Sequence, residues 1–234
     1  MGKSGKIKRI KQYYDKFSKT YDIDRTSPYF SLINYLEIEK VIPLVKDKRV
    51  LEVGCGTGLL LKEVDKIAEI AIGVDISEKM LRYARSRKLK VIQADVAHLP
   101  FKDKLFDVVY SFKVLPHIPN IKEALDEIKR VIKDDGYMVL EFYNPFSIKY
   151  LVNKIMPRKV YQRFDSYKAI KNLLPSDLII KSFRGIRIFT PTGIVYRIPV
   201  ISSIFKFLER TFCDSILGMF GGYFVVVLKK KVSN

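Results

Sequence analysis

Three glycines alternate through residues 49–58, Arg-Val-Leu-Glu-Val-Gly-Cys-Gly-Thr-Gly, directly after a short apolar run and one acid. Gly54, Gly56 and Gly58 carry no Cβ, so the backbone at this corner can lie close against a ligand. Residues 59–64 then start a helix. A ligand here would meet backbone N–H groups at a helix N-terminus, which suits a polar or anionic group. The same glycine pattern occurs in plain turns, so the acids that follow matter. Asp75 closes the apolar run 70–74, where one carboxylate can accept from both hydroxyls of a ribose. Asp95 closes the run 91–94 in the same way. His117 follows the next run and could take a proton from an acceptor hydroxyl or amine. Each of these has a purely structural alternative: a helix-capping acid at Glu52, a surface acid at Asp75, a loop acid or cap at Asp95, and a loop histidine at 117.

Those residues need elements to hold them. Apolar runs at 49–53, 70–75, 91–95, 106–112 and 136–142 alternate with helical stretches, as a parallel sheet with crossover helices requires. Residues 1–47 read as mainly helical, with a second helix from Tyr29 to Ile42 ended by Pro43. After Pro145 the pattern loosens. Residues 177–189 read as a strand pair or one long strand and 222–229 as a last strand, together an antiparallel edge. Within 196–213, Ile201, Ile204, Phe205, Leu208 and Phe212 approximate a helical stripe, with Lys206, Glu209 and Arg210 off it. That helix packs on its own domain, covers a substrate, or lies on a membrane surface.

Four segments in order resemble the class I S-adenosylmethionine-dependent methyltransferases. They are Leu-Glu-Val-Gly-Cys-Gly-Thr-Gly at 51–58, Gly-Val-Asp-Ile-Ser at 73–77, Ala-Asp-Val-Ala-His-Leu-Pro-Phe at 94–101 and Phe-Asp-Val-Val-Tyr-Ser-Phe at 106–112. Residues 127–136 resemble the helix and turn before the fifth strand of that family. The resemblance runs from about Lys48 to Asn144 and is nearest to the small-molecule branch that includes ubiquinone and menaquinone methyltransferases. It implies an α/β fold: a Rossmann-like, doubly wound, seven-stranded sheet, mostly parallel with an antiparallel edge and flanked by helices. The whole chain, 1–234, then reads as one methyltransferase domain. Residues 1–47 form a helical cap, 48–144 the cofactor-binding core and 145–234 an acceptor-side segment.

The resemblance also implies S-adenosylmethionine as cofactor and assigns its contacts. Gly54, Cys55 and Gly56 would hold the methionine end with their backbone, and Glu52 would face the amino group. Asp75 would take the ribose, with Ile76 and Met80 flanking the adenine, although both are equally good core residues. Asp95 would accept from the adenine amino group beside the Val96 amide. Phe112 sits where cofactor and acceptor meet, or packs in the core. Tyr14 and Tyr21 resemble a leader in which a tyrosine closes over the sulfonium, a cation that aromatic faces attract; an ordinary helix stripe is the alternative. Methyl transfer from a sulfonium expels a neutral group, so position and exclusion of water matter more than an acid. His117 serves as base only if the acceptor must lose a proton early. Ser111-Phe112-Lys113-Val114 lacks the Asn-Pro-Pro-Tyr type of motif of enzymes that methylate planar amino groups, and no Pro-Cys nucleophile appears.

Composition bounds the partners. The chain has 234 residues, 43 Lys and Arg against 25 Asp and Glu, and a net charge of +18. That charge attracts an anionic lipid surface, RNA or a phosphorylated substrate, or serves only solubility. Two cysteines, Cys55 and Cys213, the first inside the glycine turn, argue against a disulfide framework, and two histidines cannot make a histidine-rich metal site. The basic start has no apolar run after it of the kind a signal peptide carries. The expectation is a cytoplasmic enzyme, peripheral to the membrane at most. Its acceptor is small and lipophilic or anionic, and no obligate protein partner is evident. RNA methylation, or cofactor binding without transfer, stands as the alternative.

Overall fold

The computed structural model describes residues 3–157 and 160–231. Four helices come first: α1 (Lys3–Phe17), α2 (Tyr21–Arg25), α3 (Pro28–Ile38) and α4 (Ile42–Val45). Ser27 caps α3 by accepting from the Phe30 N–H, and Pro28 stands in its first turn, where a missing N–H costs nothing. The helix expected to run to Ile42 stops at Ile38. Pro43 does not end it; Pro43 lies in the first turn of α4 for the same reason that Pro28 begins α3.

Strand and helix then alternate: β1 (Arg49–Val53), α5 (Leu61–Val64), β2 (Ile70–Asp75), α6 (Glu78–Ser86), β3 (Val91–Gln93), β4 (Phe106–Ser111), α7 (Ile121–Val131) and β5 (Ile132–Tyr143). The third strand is shorter than its apolar run. It ends at Gln93, and Asp95 instead makes an isolated bridge with His98. The fifth strand is longer, because it begins at Ile132, within the stretch expected as a helix and turn, and Ile132 pairs with β4. Ile132 lies opposite Phe106 and Tyr137 opposite Val108, and the slack is taken up by a bulge with Asp135 at φ 68°. The chain closes with α8 (Ile148–Ile155), α9 (Tyr167–Leu173), β6 (Leu178–Ile186), α10 (Pro199–Phe212) and β7 (Tyr223–Lys230). Residues 177–189 therefore hold one strand.

The seven strands lie in the order β3-β2-β1-β4-β5-β7-β6. The first five are parallel, and β7 runs antiparallel to both β5 and β6. Strand order reverses between β1 and β4, so the crevice beyond their carboxyl ends is the natural ligand site of such a sheet. Both faces are covered. Val50, Val108, Tyr110, Val139 and Val225 pack on one side with Leu36, Val41 and Leu81. Leu51, Val109, Met138, Leu140 and Val226 pack on the other with Leu125 and Ile128 of α7. Each side fits the period-two alternation of a sheet buried on both faces.

Candidate active site

The corner after β1 is built by backbone. The N–H groups of Gly54 and Cys55 both donate to the Val74 carbonyl, at 2.7 and 3.0 Å, which pins the turn to β2. Gly54 and Gly56 sit at φ 76° and 54°, in the region that side chains resist. A Cβ on Gly54 would lie 2.0 Å from Val114 Cγ2, while Gly56 lies open beneath the Tyr21 ring at 3.9 Å. Asp75 locks the same corner from the next strand. Its Oδ2 accepts from the Gly56 N–H at 2.9 Å and its Oδ1 from the Ser77 N–H at 2.8 Å. A carboxylate offers about four acceptor positions, so about two remain for a ligand. Burial raises the Asp75 carboxyl to about 6, against the pull of those two N–H groups. Glu52 is buried at the end of β1 and accepts from the Tyr110 hydroxyl at 2.9 Å. Burial pushes it up to about 8, so at neutral pH it is largely protonated.

One cavity gathers most of the sequence-derived residues. Tyr14, Tyr21, Gly54, Gly56, Asp75, Ile76, Met80, Asp95, Val96, Phe112 and His117 all line it. Glu52 and Cys55 do not. Glu52 is held inward by Tyr110, and the Cys55 thiol packs toward Gly73, where a Cβ would lie 2.6 Å from its sulfur. Asp95 holds its own turn, its Oδ1 accepting from the Ala97 N–H at 3.0 Å. Phe112 is both wall and core: it is buried, with its ring 5.7 Å from that of Tyr110.

The roof comes from the N-terminal helices. Ile7, Ile10 and Tyr14 of α1 and Tyr21 and Arg25 of α2 face the cavity. Polar pairs fasten them to the core. The Ser77 hydroxyl, which also caps α6, donates to Asp15 at 2.6 Å. Asp22 accepts from the Thr57 hydroxyl at 2.6 Å and from the Arg87 guanidinium at 2.5 Å.

Beyond Phe112 the site becomes polar. Lys113, at φ 61°, forms a buried ion pair with Glu37 of α3, and its N–H donates to Glu141 Oε1 at 3.1 Å. Burial, together with the Glu37 charge, raises the Glu141 carboxyl well above the usual range. His117 lies in a 3-10 turn, Leu115–His117, and is buried. Its Nδ1 is 2.7 Å from the Tyr161 carbonyl, a partner that can only accept, so Nδ1 carries the proton. Nε2 is then the acceptor nitrogen, 3.4 Å from the Tyr143 hydroxyl. Arg25 spreads its guanidinium over the rings of Tyr21 and Phe30, 4.9 and 4.2 Å from their centroids. Its Nε and Nη1 are buried with no hydrogen-bond partner. Arg25 also borders a second, largely apolar groove, with Phe17, Ile23, Tyr29, Phe30 and Tyr196.

Residues 51–140 match the family model described as a methyltransferase domain. An uncharacterized protein of Methanocaldococcus jannaschii is 37% identical over 167 residues, covering 70% of this chain and 61% of that protein. Demethylmenaquinone methyltransferase of Tropheryma whipplei is 30% identical over 145 residues, covering 58% and 60%. The crystal structure of an S-adenosylmethionine-dependent methyltransferase from Thermotoga maritima, described as a possible histamine N-methyltransferase, superposes with a TM-score of 0.69. At 22% identity it covers 94% of this chain and 99% of that one, and it shows the fold. Residues 51–140 thus carry a methyltransferase domain on a class I methyltransferase fold, with S-adenosylmethionine-dependent enzymes among the relatives. The chain spans about three fifths of the length of the curated relatives it matches.

The residues present fit the cofactor of that family. The cavity combines the close backbone approach that Gly54 and Gly56 allow, an acid with spare acceptor positions, the apolar side chains Ile76 and Met80, and a second acid at Asp95. Sequence reasoning missed Arg25, Ile7, Ile10 and the Glu37–Lys113–Glu141 cluster. Lys113 stands next to Phe112 in the chain and could have been found from that position. Glu37 and Arg25 carry no local signal, because only the folding of α2 and α3 over the sheet brings them there. Among the described residues, no group of three or more His, Cys, Asp or Glu is placed to hold a metal, and no helix is long and apolar enough to cross a membrane.

Proposed function

We propose that this methyltransferase acts on a small acceptor that is lipophilic and carries an anionic group. The observation that supports this reading best is Arg25. Its unpaired, buried nitrogens stand in the wall common to the cofactor cavity and the apolar groove. Buried guanidinium N–H groups without an acceptor are costly, and an anionic ligand group at this boundary would relieve that cost with charge-assisted hydrogen bonds. The name of the Tropheryma relative, demethylmenaquinone methyltransferase, points the same way. The net charge of +18 favours a second reading, an RNA acceptor.

S-adenosylmethionine, when bound, supplies a methyl group on a sulfonium sulfur and departs as a neutral thioether. The chain supplies the rest. Gly54, Gly56, Asp75 and Asp95 bind and orient, with Ile76, Met80 and Val96 as apolar walls. Tyr14 and Tyr21 close the roof and keep water out, and their faces suit a cation. Phe112 bounds the acceptor side. Glu52 and Cys55 support the corner from beneath and lie outside the cavity wall. His117, with its ring fixed through Nδ1, accepts a proton at Nε2 from an acceptor hydroxyl or amine.

Two variants test these assignments in one experiment. Asp75→Ala weakens S-adenosylmethionine binding by about 1–3 kcal/mol in calorimetry, as the ribose loses its acceptor. His117→Ala keeps the wild-type affinity and lowers the transfer rate by about 10²–10⁴. Unchanged affinity in the first, or an unchanged rate in the second, removes that residue from its role.

A further inference from the structure

Two helices of this molecule are amphipathic the wrong way round. On α10, Ser202, Phe205 and Glu209 face the protein, and Glu209 is 1% exposed. Val200, Ile204 and Phe207, at the i, i+4, i+7 spacing of one helical face, point to solvent, with Val200 72% and Phe207 66% exposed. The stripe expected from sequence is therefore split, with Phe205 turned inward and Ile201 and Ile204 outward. The reason is Glu209. Its carboxylate accepts from the backbone N–H groups of Ile188, Phe189 and Thr190 and from the Thr190 hydroxyl, at 2.8–3.1 Å. Four donors hold that charge inside and fix the rotation of the helix about its axis.

The same inversion occurs on α8. Lys149 is buried, its ammonium 3.4 Å from the centroid of the Tyr143 ring. Ile148, Leu151, Val152 and Ile155 share the opposite face, and Ile155 is 81% exposed. The two faces are linked. The Asn144 side chain, just before α8, donates to the carbonyls of Met219 and Gly221 at 2.8 and 2.9 Å. The 3-10 turn that contains Met219, Ile216–Phe220, follows α10 and exposes Ile216, Met219 and Phe220. At its other end, α10 continues from exposed Ile194 and Ile198, and Ile194 lines the apolar groove.

We infer that α8, α10 and the 216–220 turn form a surface that docks on an anionic lipid bilayer. The large side chains enter the acyl boundary and the groove mouth lies at that boundary. A helix lying in a membrane interface presents an outward apolar face, and its affinity grows with buried apolar area plus attraction to anionic lipid. The second term is present, since the chain carries +18 and Lys154, Arg197, Lys206 and Arg210 lie within this surface segment. That charge complements a bilayer surface and opposes close approach of a second, equally charged copy.

Vesicle co-sedimentation tests this independently of methyl transfer. The wild-type protein pellets with vesicles of phosphatidylcholine containing about a quarter phosphatidylglycerol, and severalfold less with phosphatidylcholine alone. The pairs Leu151→Glu with Ile155→Glu, and Val200→Glu with Phe207→Glu, each lower the pelleted fraction by about tenfold or more. Because these side chains are exposed, both pairs keep the wild-type melting temperature and S-adenosylmethionine affinity. Wild-type protein that stays in the supernatant with the anionic vesicles overturns the inference. So do charged pairs that pellet like wild type. A wild-type dimer that ignores vesicles and becomes monomeric in the charged pairs also overturns it, assigning the surface to a second copy.

Discussion

Burial raises the Glu52 and Asp75 carboxyls above the ordinary carboxylate range, and this gives the molecule a pH signature. Glu52 accepts a hydrogen bond from Tyr110, and neither that bond nor the Lys113 charge offsets its burial. Its folded pKa of about 8 lies above the ordinary value of 4.5. A carboxyl raised in this way binds its proton more tightly in the folded state. Its stabilisation is therefore full below about 4.5 and is lost as pH rises through about 8. Glu52→Gln keeps an acceptor for the Tyr110 hydroxyl and removes the ionisation. Its stability relative to wild type should rise between about pH 5 and pH 9, by an amount on the order of a few kcal/mol. Chemical denaturation at a series of pH values measures this, and a difference that does not change with pH would show Glu52 to be ionised throughout. The glycine turn itself was legible because Gly54 and Gly56 do what only glycine does readily: they take positive φ against neighbouring side chains. The Tyr110–Glu52 contact was not, since it joins residues 58 apart across two strands.

The roof over the site depends on three polar contacts that join α1 and α2 to the core: Asp15 to Ser77, and Asp22 to Thr57 and Arg87. The Asp22–Arg87 pair is partly exposed, so it is worth about 1 kcal/mol. Asp22→Ala should then raise the rate of proteolytic cleavage within residues 1–25 by about fivefold, through more frequent local opening, with little change in global melting. Saturating S-adenosylmethionine should reverse much of that increase. Cleavage indifferent to both the substitution and the cofactor would mean the roof is held by other contacts. The core elements were legible from residues 49–143, where short apolar runs and glycine turns repeat with helix-length spacing. The orientation of α10 was not. A helical stripe of Ile and Phe suits an inward face, a substrate cover or a membrane surface alike, and the four donors that pull Glu209 inside come from residues 188–190, which no local pattern links to it.

At the scale of the whole molecule, a cavity at the strand switch point meets an apolar groove at Arg25, and the groove opens beside an exposed apolar surface. The charge of +18 is spread over the same molecule and by itself suits RNA as well as lipid. The parallel core was legible in the alternation of elements over residues 49–143, and the doubly wound sheet with an antiparallel edge in the family resemblance. The acceptor side did not, because α2, α3 and the 193–220 segment converge on it from distant parts of the chain. The most direct measurement is transfer of labelled methyl from S-adenosylmethionine into a native extract, followed by separation into organic-soluble, RNA and water-soluble small-molecule pools. The predicted result is label in the organic-soluble pool, reduced when Arg25→Met replaces the wild-type enzyme. Label confined to RNA, or no incorporation by a protein that binds the cofactor, would contradict methyl transfer to a lipophilic acceptor.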